Sequence, residues 1–258
     1  MKTLKKPIKM AFNIDKEKLT ERFVFDEALH MYFYDGKPMT GVTTILGVIA
    51  KPALIQWSAN MAVASFEKQI LQLSHDGATL QGILSIIDDI KETARYAHKT
   101  KKDSAADIGT LAHKWIELWI KGENPAPHPV VSHMTDQFVN WAKANKVKFL
   151  GSELRCYDID NWYAGTCDLV MEIDGKVWIG DIKTSSGIYP SFFFQTAAYQ
   201  HAMQSMGKYP EVEGHVIINI SKDGKLKEQR SYGFTENLKA FVAALTLYRQ
   251  QETLKNVI

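Results

Sequence analysis

The alternation of apolar and polar positions predicts a strand-rich start followed by helices. Residues 22–35 alternate and are rich in aromatic side chains, and Asp35-Gly36 is a dipeptide typical of tight turns, so this segment predicts a β-hairpin. Apolar residues at helical spacing then predict two helices, at about 52–73 and 79–98. We place a domain boundary after residue 102, so that residues 1–102 form an N-terminal hairpin and helical region.

Residues 103–258 show the pattern of a mixed α/β domain. Ser104 is a favourable N-cap for a first helix, which Lys121 and Gly122 would end. The patterns that follow have the order helix, three strands, helix, strand, which is typical of a mixed α/β fold. The boundaries that we predict are helices at 132–146, 190–206 and 235–254 and strands at 147–157, 162–173, 176–184, 212–220 and 226–232.

Composition excludes several classes of protein. Apolar residues make up 45% of the chain and charged residues 23%, which is the mixture of an ordinary globular protein. Two cysteines, Cys156 and Cys167, are too few for a disulfide framework or a four-thiolate metal site. The basic start of the chain lacks the apolar stretch of a signal peptide, and we find no apolar run of membrane-spanning length. We therefore expect a cytoplasmic protein without a membrane partner.

One short segment brings acidic residues together within an apolar sheet. Asp174-Gly175 lies between two apolar strands, which is the strongest short signal for a two-residue hairpin turn. In that register Asp168 lies opposite Asp181, with Cβ atoms about 4.5–5.5 Å apart. Lys183 follows two residues later on the same face of the strand. Two carboxylates and one ammonium group are therefore predicted to converge.

Such a pair of carboxylates has two explanations. Opposed like charges destabilise a sheet, and a buried unpaired carboxylate costs several kcal/mol unless it is protonated. A shared divalent cation removes that cost, because carboxylate oxygens suit Mg²⁺, Mn²⁺ or Ca²⁺. The alternative is a solvated pair at a sheet edge with Lys183 as its salt-bridge partner. For the whole set of residues we favour the metal site.

The order of several motifs resembles the PD-(D/E)XK nuclease superfamily, in the form found in RecB-like and phage exonucleases. The acidic strands carry Gly-Thr-Cys-Asp at 165–168 and Asp-Ile-Lys-Thr at 181–184. Gly-Thr-Leu-Ala-His at 109–113 is similar to the GTxxH helix of that family, and Gln-Thr-Ala-Ala-Tyr at 195–199 to its QxxxY motif. Glu153, on the first predicted core strand, lies where many members have a glutamate. The resemblance covers about residues 103–220.

The resemblance implies a restriction-endonuclease-like core and a set of roles for its residues. Metal ligands would be His113, Asp168, Asp181 and the backbone carbonyl of Ile182, with Mg²⁺ or Mn²⁺ as the cofactor. A role in the reaction is further implied for Asp168, Asp181, Lys183, Glu153, Gln195 and Tyr199. Lys183 would orient water, help to deprotonate it or stabilise charge on the phosphate, and beside two carboxylates its electrostatic role is stronger than its role in proton transfer. Residues 1–102 would then cover the substrate channel.

The function that follows is metal-dependent hydrolysis of DNA phosphodiesters, from an end rather than internally. Phage-type recombination, repair or DNA processing, with DNA and a recombination protein as partners, is implied by the same resemblance. Two alternatives remain open: an endonuclease or junction resolvase on this fold, and an inactive nuclease fold that only binds DNA. The chain has no GxGxxG, Walker-type loop or GxSxG motif.

The distribution of charge along the chain, rather than the net charge, supports nucleic acid as a partner. Thirty-one basic and 29 acidic residues leave a net charge of +2, which indicates no particular partner. Residues 151–182 carry seven acids and two bases, whereas residues 91–102 carry five bases and one acid and residues 1–18 carry six bases and two acids. The acidic segment is where a cation would bind, and the basic segments are free to meet phosphate.

Overall fold

The computed structural model describes residues 22–255, and the predicted basic segment at residues 1–18 lies outside this range. Within it the chain forms eight strands and seven α-helices, and a 3₁₀ turn (Leu46–Val48) follows the first helix. The strands are β1 (Phe23–Asp26), β2 (Met31–Tyr34), β3 (Lys37–Gly41), β4 (Lys148–Asp158), β5 (Tyr163–Ile173), β6 (Lys176–Lys183), β7 (Gly214–Ile220) and β8 (Leu226–Ser231). The helices are α1 (Val42–Ile45), α2 (Pro52–His75), α3 (Leu80–Ser85), α4 (Ile87–Ile120), α5 (Ser132–Ala144), α6 (Pro190–Ser205) and α7 (Phe234–Lys255).

The described strands form one mixed sheet, which confirms the predicted α/β class. The order is β1-β2-β3-β5-β6-β7-β8, and β4 pairs with the other edge of β5. One edge of β5 is shared by two neighbours, because its first residues pair with β3 in parallel and its last five pair with β6. β6 and β7 are parallel and are joined by α6, which is the crossover that a parallel pair requires.

The sheet is covered by helices on both faces. Val170 and Ile179 pack with residues of α6 and α7 on one face. Met171 and Trp178 pack with residues of α4 and α5 on the other. Because both faces are buried, β5, β6 and β7 are apolar at nearly every position rather than at alternate positions. An acidic side chain within these strands therefore has few positions at which it can meet water.

The β5–β6 hairpin has the register that the sequence predicts. Asp174 and Gly175 adopt φ angles of 52° and 75°, and this pair of left-handed residues matches the twist of the two strands. Five pairs follow without a shift, from Ile173 with Lys176 to Leu169 with Gly180. The register of the acidic strands is therefore confirmed up to the position next to Asp168.

The helix that carries His113 is longer than the sequence predicts. α4 runs without interruption from Ile87 to Ile120, so the predicted helix start at Ser104 is wrong, and Ser104 lies in the helix interior. Residues 99–103 contain neither Gly nor Pro, and their lysines favour the helical conformation. The predicted boundary after residue 102 falls inside this helix. Residues on both sides of that boundary also contribute strands to the same sheet.

In the part of the chain that the structure describes, no single helix is both long enough and apolar enough to cross a membrane. One pair of consecutive helical segments, residues 42–48 and 52–75, meets the requirement of length and composition together, and its two halves are bent by 82°.

A buried histidine in β7 makes stability depend on pH. His215 has no exposed surface, its Nε2 donates to Oε1 of Gln200 at 2.7 Å, and its Nδ1 has no hydrogen-bond partner among residues 22–255. Burial lowers the pKa of His215 from 6.5 to about 4. As the pH falls, His215 takes up a proton at a higher pH in the unfolded chain than in the folded one. The stability that neutral His215 contributes is therefore present above pH 6.5 and is lost as the pH falls toward 4.

We expect a His215→Gln variant to lose this part of the pH dependence, because glutamine does not titrate. Between about pH 7 and about pH 5 the wild-type protein should lose about 2 kcal/mol more unfolding free energy than the variant. Urea unfolding of both proteins at the two pH values measures the difference. Equal losses would show that another group titrates.

Candidate functional site

A cleft of about 910 Å³ opens between the N-terminal hairpin, helix α4 and the strands β4 and β5. Five of the residues that the sequence singles out line this cleft. They are His113, Glu153, Asp168, Gln195 and Tyr199. Side chains of β1 and β2 line its opposite wall, so the N-terminal hairpin bounds the same cleft as the acidic strands.

The site begins where β5 and β6 separate. Their last paired residues are Leu169 and Gly180, one position before the two aspartates. Instead of a further backbone pair, Oδ2 of Asp168 accepts a hydrogen bond from the backbone N–H of Ile182 at 2.8 Å. Asp168 therefore holds the two strands together at the point where they diverge, with Asp181 beside it.

β5 changes face at Asp168. Beyond this residue, Leu169, Met171 and Ile173 belong to the cluster under α4 and α5. Before it, Tyr163 and Cys167 belong to the cluster under α6 and α7, although all five residues have odd numbers. Regular alternation would place them on one face. The change of face gives Asp168 access to groups from both helical layers, which the simple hairpin geometry does not predict.

Three potential ligands meet around Asp168. One ligand atom each of His113, Glu153 and Asp168 lies within 4.8 Å of the other two, and Nδ1 of His113 is 3.7 Å from Oδ2 of Asp168. His113 and Asp168 were expected as ligands. Glu153 was expected only from its position on the first core strand, and the structure brings it into this group. Asp181, also expected as a ligand, lies outside this three-residue group in the described part of the chain.

Glu153 reaches the group through an irregularity in β4. The pairs Ser152 with Leu169 and Leu154 with Cys167 place Glu153 opposite Asp168. Its φ angle is 51°, a left-handed conformation that non-glycine residues seldom adopt and that costs about 1–3 kcal/mol. Backbone strain of this kind concentrates at functional sites, and here it occurs at an acidic residue that faces two other potential ligands.

Helix α4 comes close enough to the sheet because of a glycine. A Cβ atom on Gly109 would lie 2.9 Å from Oγ1 of Thr184, which directly follows β6. The absence of a side chain lets α4 approach that segment, and His113 follows one helical turn later on nearly the same face. The Gly-Thr-x-x-His spacing thus has a steric reason in this fold.

A buried Asp181 and a partly exposed Lys183 form an ion pair on the α6 side of the sheet. Asp181 has no exposed surface, and its Oδ2 lies 2.6 Å from Nζ of Lys183. Gln195 of α6 donates to Oδ1 of Asp181 at 3.2 Å and lies 2.9 Å from the hydroxyl of Tyr199. Nζ of Lys183 also lies 5.1 Å from the ring centre of Phe192, a cation–π distance. The predicted residues Gln195 and Tyr199 are therefore connected to the acidic strands through Asp181.

Gly165 makes room for this arrangement. A Cβ atom there would lie 2.4 Å from Cε1 of Tyr199, so the tyrosine ring packs directly against the backbone of β5. The ring is buried, and its hydroxyl remains within reach of Gln195. The first glycine of the Gly-Thr-Cys-Asp segment thus places the tyrosine of α6 beside the site.

The carboxyl groups of the site have raised pKa values, because nearby positive charge does not offset their burial. Burial, together with the charge of Asp168, raises the pKa of Glu153 to about 7. Burial raises the pKa of Asp181 to about 7 although Lys183 opposes the shift, and burial also raises the pKa of Asp168. Burial alone would lower the pKa of Lys183, but Asp181 and Asp168 outweigh it and raise the pKa. Lys183 is therefore protonated at neutral pH.

His113 has the opposite shift. Burial and the positive charge of Lys183 lower its pKa, against Asp181 and a hydrogen bond with the Ile182 backbone, which raise it. A neutral imidazole is the form that binds metal ions. The Ile182 backbone, expected to supply a carbonyl ligand, is in contact with this ring.

Some lining residues were not foreseen from the sequence. The hydroxyl of Tyr32 in β2 lies 2.8 Å from Oγ1 of Thr166, and Arg155 of β4 is 3.1 Å from Glu27 and 5.2 Å from the ring centre of Phe25. The position of Arg155, two residues after Glu153 on one strand, is a signal that the sequence did contain. The contact with Tyr32 depends on the pairing of β3 with β5, which no local pattern reveals.

The sequence was compared with models of protein families and with curated proteins, and neither comparison finds a match.

Proposed function

We propose that this protein is a metal-dependent deoxyribonuclease of the PD-(D/E)XK type that hydrolyses DNA phosphodiesters, preferentially from an end. The observation that carries the proposal is the meeting of His113, Glu153 and Asp168 within 4.8 Å, beside the Asp181–Lys183 ion pair, in a cleft of about 910 Å³. If these charged residues only stabilised the fold, a histidine and a glutamate with a strained backbone would not be needed at the same point.

The donor set fits a divalent cation. Two carboxylates and one neutral imidazole offer oxygen and nitrogen ligands, which suit Mg²⁺ and make Mn²⁺ somewhat more favourable than an all-oxygen site would. Burial and the charge of Asp168 raise the pKa of Glu153, burial raises the pKa of Asp168, and a nearby positive charge would oppose both shifts. His113, Glu153 and Asp168 would hold the cation, with Asp181 and the Ile182 carbonyl beside them.

The residues around the metal site would have different roles in phosphodiester hydrolysis. A bound Mg²⁺ or Mn²⁺ supplies Lewis acidity toward a phosphate oxygen and lowers the pKa of a water molecule. Lys183, held by Asp181, places a positive charge where negative charge develops on the phosphate, and because it stays protonated its role is electrostatic rather than that of a base. Gln195 and Tyr199 position Asp181 from the side of α6.

DNA as the substrate is supported by the charges around the cleft. Lys114, Lys121 and Arg155 line it, and each is paired with a glutamate that is also in the cleft wall. The basic side chains are about half exposed, and Glu27 is exposed whereas Glu117 is mostly buried. Ion pairs with solvent-exposed partners are worth at most about 1 kcal/mol, so phosphates can compete with the glutamates for these basic groups. Such residues meet a nucleic-acid backbone without reading its sequence.

The proposal is tested by incubating the protein with labelled linear DNA and with covalently closed circles, in Mg²⁺ or Mn²⁺. We expect linear DNA to be degraded, circles to persist, and excess EDTA to abolish the reaction while the circular dichroism spectrum of the protein is unchanged. Degradation of circles at the linear rate would instead favour an endonuclease or junction resolvase. No cleavage with either metal, but binding of DNA, would favour an inactive nuclease fold.

A further inference from the structure

One face of α4 continues the candidate site far beyond the cleft. In an α-helix each residue turns by about 100°, so residues spaced alternately by four and three positions share one face. Counting back from His113 in this way passes through Gly109, Ala106, Lys102, Lys99 and Arg95, and all of them lie within about 40° of the direction of His113. This stripe exists only because α4 is a single helix from Ile87 to Ile120.

The small residues of the stripe lie next to the site and the basic ones lie farther away. Gly109 and Ala106 line the cleft together with His113. Lys102, Lys99 and Arg95 are exposed. At a rise of about 1.5 Å per residue they lie about 16, 21 and 27 Å along the helix from His113. Of the buried residues of α4, Ile90, Ala94 and Ala112 lie about 100–140° from the direction of His113, and Ile116 lies about 60° from it. Arg95, Lys99 and Lys102 are therefore on a different face from Ile90 and Ala94, the buried residues of the same half of the helix.

Among residues 22–255, Lys99 and Lys102, together with Lys101 on another face, have no acidic partner, in contrast to three other basic residues of α4. Lys91, Lys114 and Arg95 each form an ion pair with an acid three positions away on the helix. Between Glu92 and Asp103 the sequence contains no acidic residue. Within residues 22–255, neither Lys99 nor Lys102 forms an ion pair, and both therefore keep their full charge toward solvent.

We propose that Arg95, Lys99 and Lys102, here called the basic stripe, bind the phosphate backbone of the DNA strand that continues from the bond being cleaved. The inference rests on the proposed nuclease function. A row of positive charges that leads away from a phosphodiester-binding cleft is complementary to a polyphosphate chain, which presents one charge per about 3.4 Å of each strand in a duplex. The distance along α4 from His113 to Arg95, the far end of the stripe, is about 27 Å, which corresponds to about eight base-pair steps.

Arg95 joins the stripe as its outer end. Its NH1 lies 2.9 Å from Glu92, and both side chains are more than half exposed, so this pair is weak and exchangeable. Lys99 and Lys102 carry the larger part of the interaction, since no partner has to be displaced from them. The stripe makes no contact with base edges, so we expect it to increase affinity without sequence preference.

The test is the salt dependence of binding, measured by fluorescence anisotropy with labelled single-stranded and duplex DNA in EDTA, where no cleavage occurs. We expect Lys99→Gln with Lys102→Gln to reduce the slope of log Kd against log salt concentration by about 2, or about 1 for each lysine. Affinity at about 50 mM salt should fall roughly tenfold. Whichever form of DNA shows the larger change is the form that the stripe follows.

The matched control is Lys68→Gln with Lys101→Gln, which removes two exposed lysines from the same helical region. Lys101 lies about 120° from the direction of His113, and Lys68 lies on α2. We expect this control to keep most of the wild-type slope. An equal reduction in both double variants, or no reduction in either, would overturn the inference.

Substrate length separates this inference from the proposed function. With Mn²⁺ present, the cleavage rate of the wild-type protein should rise with DNA length up to about eight base pairs, and the stripe variant should lose this rise. If the wild-type protein cleaves DNA but neither its length dependence nor its salt slope changes in the variant, the stripe inference fails and the nuclease stands. If no DNA is cleaved, the nuclease fails and the binding slopes still decide on the stripe.

Discussion

Replacing Asp168 by asparagine is expected to lower the rate of DNA cleavage by at least about a thousandfold, the largest effect of any single substitution that we consider. Asp168 lies at the centre of the site, 3.7 Å from His113, in reach of Glu153, and hydrogen-bonded to the N–H of Ile182. Asparagine has the same shape and keeps an oxygen that can accept that hydrogen bond. It lacks the negative charge that a divalent cation requires.

Two measurements check this result. Initial cleavage rates with Mn²⁺ give the loss of activity, and calorimetric titration with Mn²⁺ gives the loss of metal affinity, which should accompany it. Asp174→Asn is the matched control, because Asp174 is in the hairpin turn of the same strands and asparagine is favoured there. An Asp168→Asn protein that keeps a tenth of the wild-type rate would refute the assignment of Asp168 as a metal ligand.

Replacing Lys183 by methionine is expected to lower the cleavage rate by about 100–1000-fold while leaving Mn²⁺ affinity nearly unchanged. The substitution keeps an unbranched apolar stem but removes the charge that lies 2.6 Å from Asp181. The pKa of Asp181, already raised to about 7, should rise further because Lys183 opposes that shift. Asp181 would then carry a proton at neutral pH.

The separation of rate from metal affinity is the informative readout. A lysine that only stabilised the fold would show its loss in thermal unfolding, with a cleavage rate at low temperature close to that of the wild type. Lys176→Met is the matched control on the same strand, since Lys176 is exposed and paired with Glu213 far from Asp168. Equal rates in the two methionine variants would contradict the electrostatic role of Lys183.

Local patterns predicted most of the elements with ends that agree within a few residues. The β5–β6 hairpin is the clearest case, because a two-residue turn of Asp and Gly permits only one register. The end of α4 was equally well defined, since Gly122 adopts a φ angle of 80° after the last helical turn. Both features depend on residues adjacent in sequence, and so they can be read without knowledge of the fold.

The candidate site was predicted in part. Asp168, Asp181 and Lys183 follow from the hairpin register, and the structure pairs Asp181 with Lys183 and places both near enough to Asp168 to affect its pKa. His113 and Gln195 were named only because motifs resemble those of a nuclease family. The approach of His113 to Asp168 depends on how α4 packs near Thr184, and the position of Glu153 depends on a left-handed residue within a strand. Neither has a signature in local hydrophobic periodicity.

What the sequence by itself determined is the mixed α/β order of elements and the register that brings Asp168 beside Asp181, because turn chemistry and alternation act over a few residues. Only the tertiary structure decided that β5 changes face at Asp168, that His113 and Glu153 meet there, and that α4 is continuous from Ile87. The physical reason is that these features are set by packing between segments far apart in the chain. Residues 87–108 contain neither Gly nor Pro, so α4 also continues as far as its contacts with the sheet and α2 support it.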